Sequence, residues 1–330
     1  GDNTGSNKFG EVAIFKRNAI SGLWVYHSVI HPGTVTDNGS DIAYGVVVET
    51  NGDTIIVSAT TFDDETLSGS GQVFVYDWDG TTATLNTMLK LPVAQATAQF
   101  GNDIAIDGDM IVIGAQFYDD GGVSNSGAVY YSNRTGSVWG PITQLPQPDG
   151  VWTLTSNKRI GQNVDISGNT IIANSLVGSS PIGVINVWTW NGTDWNIDYV
   201  EGTSSTLGNV GYDLTISGDF IAFSMYQGRI EIHKRTGGVW ALVETIREAS
   251  DLSGAGGAVN EMAMNGNVLA IADNNDNYSG SGPGSATVYI YNGTKWDNAD
   301  KQVYRFEDPI VSSGFPTNIN TDGLTVVIGD

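Results

Sequence analysis

"FGNDIAIDGDMIVIGAQFYDDGGVSNSGAVYYSNRTGSVW" runs from Phe100 to Trp139 and contains the pattern that decides the fold. Two apolar runs flank the turn at Asp107-Gly108, and a polar loop then leads to a third run rich in Val and Tyr. Asp-Gly and Asn-Gly pairs tolerate the positive φ of tight hairpin turns. The stretch therefore predicts three antiparallel strands, with Trp139 at the start of a fourth.

The unit of strand, glycine turn and strand recurs along the whole chain. Its six copies lie about 50 to 60 residues apart, which is the period of four-stranded propeller blades. Their turn glycines are Gly52, Gly108, Gly168, Gly218, Gly266 and Gly323. The strands beside these turns, such as "MIVIGA" from Met110, are apolar on both faces, as is typical of strands buried between neighbouring blades.

A Trp opens the predicted outermost strand in most copies. The stripe comprises Trp139, Trp195, Trp240 and Trp296. In the copy that follows Gly71 the equivalent place is near Ala83, so the Trp is missing there. One Trp per repeat is expected in the core between blades rather than at a ligand.

Each end of the chain holds half of a repeat. The last copy stops after its first two strands, and the chain begins with the second half of a repeat, which ends in Trp24. We therefore predict that the N-terminal outer strands pair with the C-terminal inner strands, which closes a ring without free sheet edges.

The predicted fold is one all-β domain, a six-bladed β-propeller of four-stranded antiparallel blades. Its domain spans residues 1–330, because no linker is visible. The predicted blades are 42–95, 100–149, 159–203, 209–250, 256–309, and 315–330 together with 1–32. A mixed-strand sandwich is the alternative fold.

The quoted stretch resembles the FG-GAP repeat of integrin alpha-subunit propellers and their bacterial and phage relatives. Phe100-Gly101 matches the Phe-Gly element, and Gly114-Ala115 matches the start of the Gly-Ala-Pro element, with Gln116 in the place of Pro. Looser matches stand at Ile160-Gly161, Val210-Gly211 and Phe315-Pro316. The resemblance covers nearly the whole chain and implies a propeller, a fold that hosts many unrelated activities.

The resemblance also implies calcium, because some inter-strand loops of that family bind it through an Asp-rich pattern. The candidate ligands here are Asp63, Asp64, Asp119, Asp120, Asp273 and Asp276, with Asp330 and Asp2 at the junction of the ends. Calcium takes six to eight oxygens. None of these loops has the full alternating spacing, and adjacent carboxylates on an extended loop point apart. Solvated loop acids are the alternative.

Composition excludes several classes of function. The net charge is −22, which disfavours nucleic-acid phosphates and anionic lipid surfaces as partners. The chain has no Cys, which excludes disulfides and thiol catalysis. No apolar run reaches the roughly 18 residues of a membrane span, so no membrane insertion is expected. The start at Gly1 suggests a processed product or an excised domain.

Motifs for catalysis are missing from the sequence. The three histidines, His27, His31 and His233, are expected at the surface or in packing. There is no phosphate-binding loop and no nucleophile elbow. We therefore assign no catalytic and no cofactor-binding residues.

The leading hypothesis is a non-catalytic binding or adhesion propeller, extracellular, on a cell surface or on a virion. It would recognise a protein or a glycan through the loops Asp63–Ser70, Tyr118–Ser126 and Asn274–Ser285. One alternative is a structural component of a larger assembly, such as a phage tail, fibre or surface layer. Another is a polysaccharide lyase or glycosidase, which needs paired carboxylates that sequence cannot place in space.

Overall fold

The described part of the chain is all-β, as the sequence predicts. The computed structural model describes residues 10–33, 42–64, 67–147, 156–175, 184–201, 210–225, 229–246, 259, 261–273, 285–305, 318–321, 323 and 326–329. The chain divides into two compact units. The first comprises Gly1–Gln147 with Thr153–Gln162, and the second comprises Pro148–Trp152 with Asn163–Asp330.

The first unit contains one hairpin and two blades, whose strands pair antiparallel in chain order. The hairpin comprises β1 (Val12–Arg17) and β2 (Trp24–Ile30). Blade 1 comprises β3 (Tyr44–Thr50), β4 (Thr54–Ala59), β5 (Gln72–Trp78) and β6 (Ala83–Leu89). Blade 2 comprises β7 (Ile104–Asp107), β8 (Met110–Ala115), β9 (Ala128–Thr135) and an outer position divided between β10 (Val138–Trp139) and β11 (Thr143–Gln144).

The second unit contains three blades and a final hairpin. Blade 3 comprises β12 (Val164–Ser167), β13 (Thr170–Ser175), β14 (Val184–Trp190) and β15 (Trp195–Glu201). Blade 4 comprises β16 (Val210–Ser217), β17 (Phe220–Met225), β18 (Ile230–Thr236) and β19 (Val239–Ile246). Blade 5 comprises β20 (Glu261–Asn265), β21 (Val268–Asp273), β22 (Ser285–Tyr291) and β23 (Trp296–Arg305). The hairpin comprises β24 (Asn318–Thr321) and β25 (Val326–Gly329).

The blades are those of a β-propeller, but the described residues complete five of them rather than the predicted six. The sixth is represented by its two halves, β1–β2 and β24–β25, and no pairing between these halves is recorded among the described residues. The halves have the predicted character. A Cβ at Gly10, just before β1, would overlap the backbone of Tyr44, as one at Gly71, before β5, would overlap Phe100. Strand β1 is therefore the third strand of a blade.

Apolar side chains from adjacent blades of the same unit form the cores. Val75 of blade 1 packs with Ile113 and Trp139 of blade 2, and Ile232 of blade 4 packs with Trp296 of blade 5. The prediction that the Trp stripe belongs to these cores is confirmed for Trp139 and Trp296, which are buried. By contrast, Trp24 on β2 is 56% exposed.

Candidate functional site

The loops that follow β4 and β8 share one backbone frame. Gly71 N–H donates to Phe62 O at 3.0 Å, and Gly127 N–H donates to Tyr118 O at 2.9 Å. Inside each frame a second hydrogen bond joins the second acid to the residue three positions later. Leu67 N–H donates to Asp64 O, and Val123 N–H donates to Asp120 O, both at 2.9 Å. The two loops, 62–71 and 118–127, are therefore copies of one structure.

The first acid of each loop accepts a hydrogen bond from the backbone of the same loop. Asp63 Oδ1 accepts the backbone N–H of Gly69 at 2.9 Å, and Asp119 Oδ1 accepts that of Asn125 at 2.7 Å. Both donors lie six residues after their acid and have positive φ, +66° at Gly69 and +50° at Asn125. A carboxylate that holds a left-handed turn in this way has a structural role in the loop.

The second acid of the first loop has a different partner from the first acid, as expected for adjacent carboxylates. The Asp64 carboxylate pairs with Lys90 Nζ at 3.0 and 3.2 Å. At Asp120 the backbone N–H donates to Ser126 Oγ at 2.9 Å, and no Lys or Arg of the described ranges forms an ion pair with its carboxylate. The carboxylates of Asp63 and Asp64 therefore have separate partners.

These loops fit calcium poorly as far as they are described. Each offers two described carboxylates, one of which is already bound by a backbone N–H, whereas calcium takes six to eight oxygens; Glu65 lies outside the described residues. At Asp64 the ammonium of Lys90 occupies the carboxylate. Across the described ranges no group of three or more His, Asp or Glu side chains could hold a metal ion.

The remaining calcium candidates are placed only in part. Asp273 is the last residue of β21 and pairs with Ser285 across the ladder, but its side chain is not described. Asp276, Asp330 and Asp2 lie outside the described residues, as does most of the loop Asn274–Ser285. Calcium therefore stays a prediction.

Each of the two described loops grips the entry of the next blade. Backbone N–H groups of Thr97, Gln99 and Phe100 donate to carbonyls of residues 68–70 at 2.8, 3.1 and 2.9 Å. Equivalent bonds of 2.9, 3.1 and 3.0 Å join residues 157, 159 and 160 to carbonyls of residues 124–126. The grip positions Phe100, which is fully buried against Tyr130 with ring centroids 5.7 Å apart. The Phe-Gly element therefore marks where one blade is fastened to the next.

The loop tips stay outside this frame. Ser68, Ser124, Gly121 and Gly122 are exposed, whereas Ser126 at the base is buried. A rigid base with an exposed tip is the usual construction of a recognition loop.

Sequence reasoning missed a charged cluster inside blade 4. Glu231 is completely buried, and its carboxylate lies 2.8 Å from Arg229 Nη2 and 3.3 Å from His233 Nε2. His233 also stacks on Phe223, with ring centroids 5.2 Å apart. The alternation of Arg229, Glu231 and His233 places them on one face of the strand, and that period-2 pattern of charge in an apolar strand was the available signal. The expectation that His233 serves packing is confirmed.

Carboxylates also connect the inner strands of the second unit. Asp165 Oδ2 accepts the N–H of Ile216 at 2.8 Å, and the Asp213 carboxylate accepts the N–H of Met262. Glu261 accepts the N–H of Ile319 in the same manner. Asp213 and Glu261 both stand five residues before a turn glycine, so a recurrent acid at that position was a readable signal for blade-to-blade bonding.

Stability is expected to depend on the ionisation of Glu261. Burial raises the pKa of this carboxyl from 4.5 to about 7. Between those values the folded chain binds more protons than the unfolded chain, so the Glu261 contribution to the free energy of unfolding falls as pH rises. The total fall is about 3 kcal/mol. Glu261→Gln should remove this contribution and make the variant more stable than the wild type at pH 8 but not at pH 4.5.

Urea unfolding of the wild type and Glu261→Gln across this pH range measures the difference. Glu11→Gln, at an exposed position before β1, is the matched control and should follow the wild type. Parallel pH profiles for the wild type and Glu261→Gln would contradict the assignment.

Comparison with known proteins agrees with this architecture. Residues 91–131 match the family model described as FG-GAP repeat. The matched segment includes both Phe100-Gly101 and Gly114-Ala115. The class defined by the blades is the β-propeller, and more particularly the chain is an FG-GAP-like β-propeller, as the sequence predicts. No curated protein matches the sequence.

Solved structures share the fold at low identity. A chain of the crystal structure of the mitotic checkpoint complex is 13% identical, with a TM-score of 0.53, over 97% of this chain and 82% of that chain. The periplasmic gluconolactonase PpgL of Pseudomonas aeruginosa is 12% identical, with a TM-score of 0.44, over 96% and 94%. AztD of Citrobacter koseri is 10% identical, with a TM-score of 0.48, over 93% and 72%. The similarity to the chain of the mitotic checkpoint complex supports the fold alone. Nothing is concluded from the other two structures.

Within the part of the chain that the structure describes, no helix has the length and apolar character needed to cross a membrane.

Proposed function

We propose that the chain is a non-catalytic binding propeller, exposed outside the cell or on a virion, that recognises a protein or a glycan through its inter-strand loops. The observation that carries the proposal is the shared frame of loops 62–71 and 118–127. The frame is constant, but the tip sequences differ: "ETLS" at 65–68 stands where "GGVS" stands at 121–124. A constant base with a variable tip is suited to recognition.

The charges of the chain support a partner other than a polyanion. The net charge is −22, with 14 basic against 36 acidic residues. Such a field repels phosphate backbones and attracts cationic surfaces. A basic protein surface or an uncharged glycan is therefore the class of partner to be screened first.

Retention of the purified chain on immobilised glycoproteins and polysaccharides tests the proposal. Ser68→Arg and Ser124→Arg place a bulky cation on the exposed tips and should reduce retention about tenfold or more, as a contact residue does. Ser137→Arg, in the exposed turn between β9 and β10, is the matched control and should bind as the wild type does. Unchanged retention of both tip variants would show that these loops are not the binding face.

The same experiment separates the alternatives. Retention on no surface would favour a structural assembly role, which native particles or light scattering would then show. Release of new reducing or unsaturated ends from a retained polysaccharide would show a lyase or glycosidase and refute a non-catalytic role.

Calcium stays a separate prediction, which is tested at the loop of Asp119 and Asp120 because Lys90 occupies the carboxylate of Asp64. Retention is measured with calcium and with a chelator. Loss of retention in chelator, reproduced by Asp120→Asn, would support calcium there. Equal retention in both conditions would remove calcium from the proposal.

We also propose that β24–β25 and β1–β2 form one shared sixth blade. The pairing of β4 with β5 sets the register, because Ile56 opposes Val75 there. Ile56 lies four residues after the turn glycine Gly52, and Val75 lies four residues after Gly71. The equivalent residues four positions after Gly323 and Gly10 are Val327 and Ile14, which should therefore oppose each other. The chain has no Cys, so Ile14→Cys combined with Val327→Cys should form a disulfide without competing thiols, since opposed strand residues have suitable Cα separations.

Mass spectrometry after oxidation measures this bond in the monomer. Ile14→Cys with Val326→Cys is the control, because a shift of one residue turns the side chain to the opposite face. Equal oxidation of the two pairs, or of neither, would contradict the proposed register.

A further inference from the structure

Ala83 occupies a position that other blades fill with Trp. In each blade a residue at the start of the outer strand opposes a residue near the end of the third strand, five positions earlier in the chain. The opposed pairs are Trp78 with Ala83, Arg134 with Trp139, Trp190 with Trp195, Arg235 with Trp240, and Tyr291 with Trp296. Ala83 is therefore the structural equivalent of the four tryptophans, as the sequence predicts.

In blades 2 and 5 this indole packs under the outer strand of the preceding blade. Trp139 shares a core with Leu89, the last residue of β6, and Trp296 shares one with Ile246, the last residue of β19. The backbone N–H of Trp296 also donates to Glu244 of β19 at 2.7 Å. Leu89 and Ile246 each lie six residues after the Trp-equivalent position of their own strand. The same position in β2 is Ile30, six residues after Trp24, so Ile30 would cover an indole at position 83.

The missing indole leaves a groove between β2 and blade 1. The groove has a volume of 490 Å³, within the range of small-molecule sites. Ser28, Ile30 and His31 line one side; Thr82, Ala83 and Leu85 line the other. Its floor includes Tyr76, whose hydroxyl accepts a hydrogen bond from Tyr44 at 2.8 Å. The groove is thus the empty form of a place that elsewhere holds an aromatic ring.

The walls of the groove are held in place without a ligand. His27 Nε2 lies 2.8 Å from Thr81 O, and Lys16 Nζ donates to Gly80 O at 2.5 Å. Asp79 Oδ1 accepts from the hydroxyl of Thr81 and from the backbone of Thr82, both at 2.7 Å, which fixes the turn. A preformed groove avoids part of the ordering cost of binding.

The groove also has hydrogen-bonding groups to offer. Among the described residues the side chains of Ser28, His31 and Thr82 have no recorded protein partner. Hydroxyls can accept from an indole N–H or a phenol O–H, while Ile30 and Leu85 cover the ring. The charged side chains at the turn that flanks the groove are Asp79 and Lys16, which bonds Gly80 O, and the chain as a whole carries −22.

We propose that this groove binds an aromatic side chain, indole or phenol, that a basic segment of a partner protein inserts in place of the missing Trp. The inference rests on the proposed function and names the class of partner. Trp and Tyr are the residues that most often anchor interfaces in such pockets. The net charge of the chain favours Lys or Arg beside the anchor, so binding should weaken as salt is added.

The probe is the capped tripeptide Lys-Trp-Lys, titrated into ¹⁵N-labelled chain, with Lys-Ala-Lys and N-acetylglucosamine as further arms. We expect Lys-Trp-Lys alone to shift the amide signals of Ser28, His31, Thr82 and Leu85. Ala83→Trp fills the groove from within, so it should abolish these shifts while the melting temperature is kept or raised. Thr84→Trp, on the opposite face of β6, is the matched control and should bind as the wild type does.

A second variant tests the groove without inserting a bulky side chain, in case Ala83→Trp does not fold. Ser28→Ala combined with Thr82→Val keeps the groove but removes two hydroxyls, and it should weaken Lys-Trp-Lys binding several-fold. The proposal is overturned if Lys-Trp-Lys does not bind, if Ala83→Trp binds it like the wild type, or if N-acetylglucosamine binds there instead. Two results together would refute the groove but not the binding function. These are wild-type chain that does not bind Lys-Trp-Lys, and Ala83→Trp that is still retained on the immobilised glycoproteins and polysaccharides.

Discussion

Replacing Gly127 by Ala is expected to lower the free energy of unfolding by about 4 kcal/mol, from backbone strain and overpacking together. Gly127 has a φ of +77°, and a Cβ there would overlap the backbone N and O of Ile160. The new methyl group cannot be accommodated by a rotamer change, because the obstacle is main chain. Urea unfolding followed by fluorescence measures the loss.

Gly121→Ala is the matched control in the same loop. Gly121 also has a positive φ, +59°, but nothing lies within 4 Å of the position of its Cβ. Only the conformational term then applies, about 1 kcal/mol. Equal losses in the two variants would show that the close approach of Gly127 to Ile160 does not contribute to stability.

Glu231→Ala is expected to cost a similar amount, about 4 kcal/mol, because it removes the buried acceptor of the Arg229 guanidinium and of the His233 ring. Arg229 and His233 both bond this carboxylate, and the side chain of Glu231 is 0% exposed. The loss should be measured by urea unfolding at pH 7. Asp219→Ala, which removes the exposed partner of Arg235, is the control and should cost about 1 kcal/mol or less.

A double variant checks the origin of the Glu231 effect. If the loss arises from the unpaired cation, Arg229→Met should recover part of it in the background of Glu231→Ala. Additive losses would instead show that the carboxylate acts through other contacts.

The sequence predicted the blades because their signals are local. Gly108, Gly168, Gly218 and Gly266 all adopt the positive φ that their dipeptides suggest, +55° to +59°. The register of each inner hairpin follows directly from that turn. Trp139 and Trp296 were correctly placed in cores because their spacing is tied to the same turns.

Other features depended on contacts between distant residues, and sequence could not supply them. The pairing of Asp64 with Lys90 joins residues 26 positions apart. That separation is about half a repeat and corresponds to no periodicity of the sequence. Closure of the sixth blade is the extreme case, since its halves are the two ends of the chain.

The grip of each described loop on the next blade has a consequence for synthesis. Loop 62–71 has donors at Thr97, Gln99 and Phe100, which leave the ribosome only after blade 1 is complete. A nascent blade therefore finishes folding when its successor begins to emerge, and stability is passed from neighbour to neighbour as in linear repeat proteins. A chain truncated just after β6 lacks these donors, so its blade 1 should be less stable than that of a chain truncated after residue 101.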